Sequence, residues 1–322
     1  MTKKELLSLK RPSQLFTKDN FKNEYRKYAK ANHPDNGGSI EVMMHINALY
    51  EKACKLYESD QWDSKDSLQI NGTPYPFDSK NFFELGIIYI SDKVLIYQLY
   101  SKYASFPINT VTSFPFPDIK LQKLVPEEMH TWTDPLTKDI YYIISKPEGS
   151  FLLKDILTKF PSIPEKHVAW IISRLYNIGC LLEANNLVHL DISLNSVLIN
   201  PETHWAGIYG GWWYCYKKEQ TIMSLPVSTY KILPYSSIKD KKAVLSLMGI
   251  QIKALAKELL GDRFGDIHSF EGINKGLVEY LIRPGEGSLI KEFINWDKNV
   301  LDSIYGPRKY IDWRVTKEDI YY

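Results

Sequence analysis

The chain has 322 residues, with 40 Lys and Arg against 38 Asp and Glu and a formal net charge of +2, so no global field favours a phosphate backbone and nucleic acid is not an expected partner. Hydrophobic residues make up 44% and aromatic ones 13%, ample for packed cores in about two domains, and no apolar run approaches the length of a membrane span. The start, MTKKELLSLK, lacks the apolar core of a signal peptide, and Cys54, Cys180 and Cys215 are few and widely spaced. The expectation is a soluble globular protein of the reducing cytoplasm, with buried thiols, no metal site, no cofactor and no membrane association.

Glu5-Leu6-Leu7 with Leu15 supplies a short first helix, interrupted at Arg11-Pro12-Ser13. Residues 19 to 32 place Phe21, Tyr25, Tyr28 and Ala29 at spacings of three and four, one apolar stripe of a helix, with Lys22, Arg26, Lys27 and Lys30 on the opposite face. Asp19 or Asn20 caps its start, and Pro34 disfavours helical geometry at His33, ending the helix. Asn36-Gly37-Gly38 accepts left-handed backbone angles, and Ser39 caps a second long helix from about Ile40 to Glu58. Its core stripe is Met43, Ile46, Leu49 or Tyr50, Ala53 and Leu56, which makes an antiparallel hairpin with the first stripe.

The tripeptide His33-Pro34-Asp35 in this loop, the basic helix before it and Ile46-Asn47-Ala48-Leu49-Tyr50 after it resemble the J domain, the module that docks on DnaK-type chaperones. The resemblance covers residues 1 to 62. It implies that His33, Pro34 and Asp35 stimulate the chaperone's ATPase and that Lys22, Arg26, Lys27 and Lys30 steer the domain onto an acidic surface. Residues 63 to 80 are polar, carry Asn71-Gly72 and two prolines, and read as a linker.

From residue 81 the texture is strand-like. Phe83 to Ser91, the turn Asp92-Lys93, and Val94 to Tyr100 read as a hairpin, with further strands at Ile108 to Phe114 and Ile140 to Ser145. Residues 165 to 185 and 243 to 260 read as long apolar helices. Strands first and helices afterwards describe an α+β domain, with a small β lobe over residues 81 to 146 and a helical lobe over 147 to 322.

Between the two helices, His189-Leu190-Asp191 with Ser196 five residues after the Asp resembles the catalytic loop of protein kinases, whose pattern is H-R-D and a metal-binding Asn. Tyr141 to Gly149 resembles the strand and hinge between kinase lobes, and Glu258-Leu259-Leu260-Gly261 the end of the central helix of the larger lobe. The phosphoryl-transfer parts are degenerate. Leu190 replaces the Arg, Ser196 replaces the metal-binding Asn, and the metal-binding Asp-Phe-Gly falls on Tyr209-Gly210-Gly211. The first hairpin turn, Asp92-Lys93, lacks phosphate-cradling glycines, a third strand at Ile108 to Thr112 lacks the V-A-I-K lysine, and Met248 stands where an Asp braces the loop. Asp191 then reads as a loop carboxylate bonding nearby amides, His189 as a hydrogen-bonded core histidine, and Trp212-Trp213 as core, as filling of the nucleotide space or as a partner anchor.

Together the resemblances imply a J-domain co-chaperone with a catalytically inactive kinase-like domain as client-binding or targeting module, a pairing similar to proteins of bacteriophages and bacteria; a phage protein would work in the host cytoplasm. Two other readings stay open. One is an atypical kinase with Asp191 as base. The other is a structural or scaffolding protein with a vestigial J-like hairpin.

Overall fold

The computed structural model describes residues 1–9, 11–58, 62, 66–103, 123–127, 129–233, 242–262, 265–270 and 272–321. It is a mixed α+β chain of two compact units, residues 1–67 and 68–321. Among the described residues no helix is long and apolar enough to cross a membrane.

The first unit is helical. Helix α1 (Lys3–Ser8) opens with a reciprocal capping box between Thr2 and Glu5, and Pro12 starts a single 3-10 turn where the sequence interrupts the helix. Helices α2 (Phe21–Asn32) and α3 (Ile40–Glu58) pack antiparallel. Phe21, at the start of α2, lies 5.2 Å from Tyr57 near the end of α3, while Tyr25 stacks on Tyr50 at 3.8 Å and donates its hydroxyl to Asn47 Oδ1 at 3.0 Å. The core is Leu6, Leu15, Phe16, Phe21, Ile46, Leu49, Ala53 and Trp62 with Val42. Val42, rather than the expected Met43, closes the first turn of the stripe; Met43 is half-buried. The apolar side chains here span both positions, so spacing alone leaves the choice to packing against Leu6 and Phe16.

The second unit begins inside the expected linker. Strands β1 (Ser67–Ile70), β2 (Thr73–Pro76) and β3 (Ser79–Phe83) occupy most of residues 67 to 83, and β1 pairs with β2 through the Asn71-Gly72 turn. The polar composition that suggested a linker belongs to a hairpin with only a few apolar residues, Leu68, Ile70, Tyr75 and, just beyond, Phe77. These cover the outer face of the main sheet, packing with Ile87, Tyr89, Ile96 and Tyr141.

That sheet is antiparallel with spatial order β3-β4-β5-β7-β6, where β4 is Gly86–Ile90, β5 Val94–Leu99, β6 Met129–Thr133 and β7 Ile140–Ser145. Residues alternate between its two faces. Ile88, Ile90, Leu95, Tyr97, Leu99, Tyr142 and Ile144 point into the large core shared with the helices, and because both faces are covered β4 is buried throughout. The hairpin between β4 and β5 turns at Asp92-Lys93 as expected, but Phe83 belongs to the preceding strand. The expected strand at Ile108 to Phe114 lies outside the described residues.

After β8 (Phe151–Leu152) come α4 (Leu153–Lys159) and the central helix α5 (Glu165–Ala184). Short strands β9 (Leu187–His189), β10 (Val197–Asn200), β11 (Trp205–Ile208) and β12 (Cys215–Lys217) follow, β9 pairing with β12 and β10 with both β8 and β11. Helices α6 (Val227–Ile232), α7 (Ser246–Leu259), α8 (Lys275–Ile282) and α9 (Leu289–Asn295) complete the helical half. The last passes through a π turn, Trp296–Leu301, into α10 (Asp302–Tyr305). Residues 306 to 316 then run without regular structure to α11 (Lys317–Tyr321), where Lys317 pairs with Asp92 at the tip of the β4–β5 turn and with Asp78 at 3.1 Å.

One buried ion pair ties three of these helices together. Lys253 on α7 reaches Glu292 on α9 at 3.4 Å, and the Tyr280 hydroxyl on α8 donates to Glu292 Oε2 at 3.0 Å and lies 2.6 Å from the Tyr176 hydroxyl. Burial lowers the pKa of Lys253, and Glu292 opposes that shift. Breaking such a pair leaves an uncompensated buried charge, so Glu292→Ala is expected to destabilise the second unit by about 3–5 kcal/mol, measured as the shift in its urea transition by tryptophan fluorescence. Glu292→Leu combined with Lys253→Met should cost less.

Candidate functional site

Two places carry the residues singled out by the sequence. In the first unit, His33 leaves α2 with extended backbone angles, φ −65° and ψ 136°, because Pro34 bars a further helical turn. Pro34–Asn36 form one 3-10 turn, in which the Asp35 N–H donates to His33 Nδ1 at 3.2 Å. The Asn36 and Gly38 amides both donate to the His33 carbonyl, at 2.9 and 3.0 Å, and Asn36 Nδ2 donates to the Lys30 carbonyl at 2.9 Å. Gly38 packs directly on the end of α2: a Cβ there would lie 2.0 Å from the Asn32 carbonyl oxygen. The loop is therefore held by its own backbone.

Its side chains are not occupied in the core. His33 and Asp35 are 47% and 87% exposed, 3.5 Å apart, and Pro34 is exposed between them. Lys22, Arg26, Lys27 and Lys30 are exposed too, and Lys22, Arg26 and Lys30 recur every four residues, forming one row that leads up to the loop. The structure thus brings the basic residues and the tripeptide onto one continuous surface.

In the second unit, His189, Asp191, Ser196 and Tyr209 also come together, but in the interior. His189 is fully buried; its Nδ1 accepts the Asp191 N–H at 3.2 Å and its Nε2 meets the Gly210 carbonyl at 3.1 Å. This arrangement requires the neutral ring with the proton on Nε2, and burial holds the pKa down at about 3, the Gly210 carbonyl opposing weakly. The Ser196 hydroxyl donates to the Asp191 carbonyl and accepts the Ser193 N–H at 2.9 Å, while the Ser196 carbonyl accepts from Tyr209 N and Gly210 N at 2.7 and 3.1 Å. Ser196 is spent on fixing the backbone. Tyr209 donates its hydroxyl to the Lys123 carbonyl at 3.1 Å, and burial raises its pKa.

The loop is braced from α7 by residues that the sequence only half disclosed. Met248 Sδ accepts the His189 N–H at 3.3 Å, so the position expected to carry a bracing Asp does touch the loop. One turn further on, Gln251 does more: its Nε2 donates to the His189 carbonyl at 3.1 Å and its Oε1 accepts the Ile192 N–H at 2.8 Å. Thr229 adds a bond from its hydroxyl to the Leu190 carbonyl at 2.8 Å. A buried Gln on an otherwise apolar helix face is the signal that was available for this role.

Between this loop and the sheet stands an aromatic wedge. Trp213, 2% exposed, sits 5.2 Å from Tyr97, 5.6 Å from Tyr142 and 6.1 Å from Phe83. Tyr97 crosses from β5 to donate to the Asn195 carbonyl at 2.6 Å. A Cβ at Gly210 would lie 2.0 Å from the Tyr97 oxygen, and one at Gly211, where φ is +73°, 2.5 Å from Asp191 Oδ2. The two glycines are required by these close approaches.

The sheet also corrects two assignments. Its first hairpin turn in the chain is Glu84-Leu85, between β3 and β4, rather than Asp92-Lys93, and its third strand is β5 rather than Ile108 to Thr112, which lie outside the described residues. Glu84 accepts from the Tyr214 hydroxyl at 2.9 Å and from the Val227 N–H at 2.7 Å. No protein-family model matches the chain, and no curated protein matches it in sequence.

Asp191 is 8% exposed, and its pKa is pushed up to about 6, by burial first, against a hydrogen bond from Ser193 and with a smaller push from Glu84. A carboxyl whose folded pKa exceeds its unfolded value of about 3.8 stabilises the fold fully below pH 3.8 and loses that contribution as the pH rises through about 6. Asp191→Asn is therefore expected to raise the thermal midpoint relative to the parent at pH 8 and to lose that advantage at pH 4, the difference being worth up to roughly 3 kcal/mol. Paired thermal melts across that range measure it.

Proposed function

We propose that the chain is a J-domain co-chaperone. Its His33-Pro34-Asp35 loop docks on a DnaK-type chaperone and stimulates ATP hydrolysis, while a kinase-like second unit without phosphoryl-transfer activity binds a client or target. The observation that carries the reading is the loop: an imidazole, a rigid ring and a carboxylate are displayed on a turn fixed by its own backbone. Such a turn loses little entropy on binding. Asp35 offers a carboxylate for charge-assisted hydrogen bonds, and the row Lys22, Arg26, Lys30 supplies attraction to an acidic surface.

The kinase-like reading of the second unit is supported by its antiparallel sheet followed by helices, and by the loop of residues 189 to 196 held under a central helix. The non-catalytic reading rests on what fills that region. The third strand of the sheet presents Tyr97 toward the loop, where a V-A-I-K lysine is needed. Trp213 occupies the space between sheet and loop, Ser196 is engaged with backbone, and Tyr209 offers a phenol in place of a magnesium-binding carboxylate. Asp191 is packed against Gly211, which leaves no room beside it for a substrate hydroxyl.

Asp35→Asn keeps the shape of the turn and removes the charge. It is expected to lower stimulation of a DnaK-type ATPase by at least about tenfold, the usual scale for losing one partner of a docked charge pair, with an unchanged thermal midpoint of the first unit. Stimulation equal to the parent's would overturn the proposal. Transfer of phosphate from magnesium-ATP that disappears in Asp191→Ala would establish the kinase alternative instead.

A further inference from the structure

A cavity of about 960 Å³ lies within the second unit, walled by the connection of residues 145 to 148, by α5 and by β11. That is the upper end of the size range of ligand sites, about 300–1,000 Å³. Four charged side chains on its wall, Lys123, Arg174, Glu127 and Glu148, have no ion-pair partner among the described residues. A fifth, Lys146, is engaged with the Ser150 carbonyl.

Arg174 is held in place by its neighbour. Its Nε donates to the His204 carbonyl at 2.9 Å, which leaves both terminal amino groups of an exposed guanidinium for a ligand. His204 itself is over-determined. Its φ is +52°, its ring is stacked between Trp170 and Tyr310 at 4.7 Å on either side, and its Nε2 meets the Ile311 carbonyl at 2.8 Å. A non-glycine residue keeps such a backbone only where its surroundings enforce it, and enforced conformations cluster at binding sites. The result is a pre-oriented fork suited to an oxyanion. Trp205, half-buried, adds an aromatic surface on the same wall.

The two carboxylates decide the class of ligand. A lone oxyanion would be drawn by Arg174 and Lys123 and repelled by Glu127 and Glu148, whereas a peptide bearing both an acidic and a basic side chain complements both pairs. We infer that this cavity is the client site, taking a peptide segment that places an Asp or Glu on Arg174 and Lys123, a Lys or Arg on Glu127 and Glu148, and an apolar side chain on Trp205. The inference rests on the reading of the second unit as the client-binding module.

The test uses the full chain on an array of short synthetic peptides carrying Asp, Leu and Lys at varied spacings, with matched sets in which Asn replaces Asp or Gln replaces Lys. The parent should retain the charged set at least about tenfold better than the neutral sets. Arg174→Gln and Lys123→Gln should each bring the preference for Asp close to parity, without changing stimulation of the DnaK-type ATPase. Because Arg174 also bonds the His204 carbonyl, Lys123→Gln, whose side chain makes no such bond, guards against a folding effect. Equal retention by the parent and both variants would overturn the inference while leaving the client reading standing. Retention of no peptide by the parent would overturn both. Displacement of the charged peptides by inorganic phosphate at millimolar concentration would reassign the cavity to small anions.

Discussion

The indole of Trp213 is the contact on which the second unit depends. It is in van der Waals reach of the sheet through Phe83, Tyr97 and Tyr142 and of the loop below through its own chain neighbours, so it sets the spacing between sheet and helices. Burying a side chain of this size contributes on the order of 3–5 kcal/mol judged by truncation to Ala. Its Nε1 and the Tyr142 hydroxyl have no hydrogen-bond partner, an unfavourable term of about 1–3 kcal/mol for each buried group left unsatisfied. Packing outweighs that penalty. Once the indole is in place, Gly210 and Gly211 must lie against Tyr97 and Asp191, and the loop has only one way to pass.

The two units answer the same problem, a fixed loop bearing His and Asp, in opposite ways. In each, an N–H two residues on donates to the histidine Nδ1 at 3.2 Å. At His33 the ring and carboxylate stand in water, available to a partner. At His189 they are enclosed, the imidazole is confined to its neutral form and the carboxyl is pushed toward protonation. Identical local geometry therefore gives an interaction surface in one case and a strut in the other, the difference being burial alone.

Much of this was legible from residue order. The helices at 21–32 and 40–58 followed from period and from Pro34, and the long helices at 165–184 and 246–259 from apolar content. The hairpin at residues 67 to 76 was not, because a strand that covers a sheet needs only a few apolar residues and its turn signals resemble those of a linker. The place of β5 as the third strand depended on that unseen hairpin and on β3, and counting from the wrong first strand moved the expected lysine out of the sheet. Tyr97 and Gln251 escaped notice for a related reason. Their roles arise from pairing across 98 and 62 residues of chain, a relation no local pattern encodes.

The segment after α10 connects distant parts of the second unit. Tyr310 and Ile311 fasten it to His204, Trp313 stacks on His167 at 4.7 Å, and Lys317 reaches Asp78 and Asp92 in the sheet. During synthesis the core of the first unit is complete once residue 62 has emerged. The sheet, by contrast, waits for residue 317 before its β4–β5 turn is secured, so its apolar edge is open to other chains for most of translation. A protein of this layout presents its docking loop to a chaperone while its own larger half is still a substrate for one.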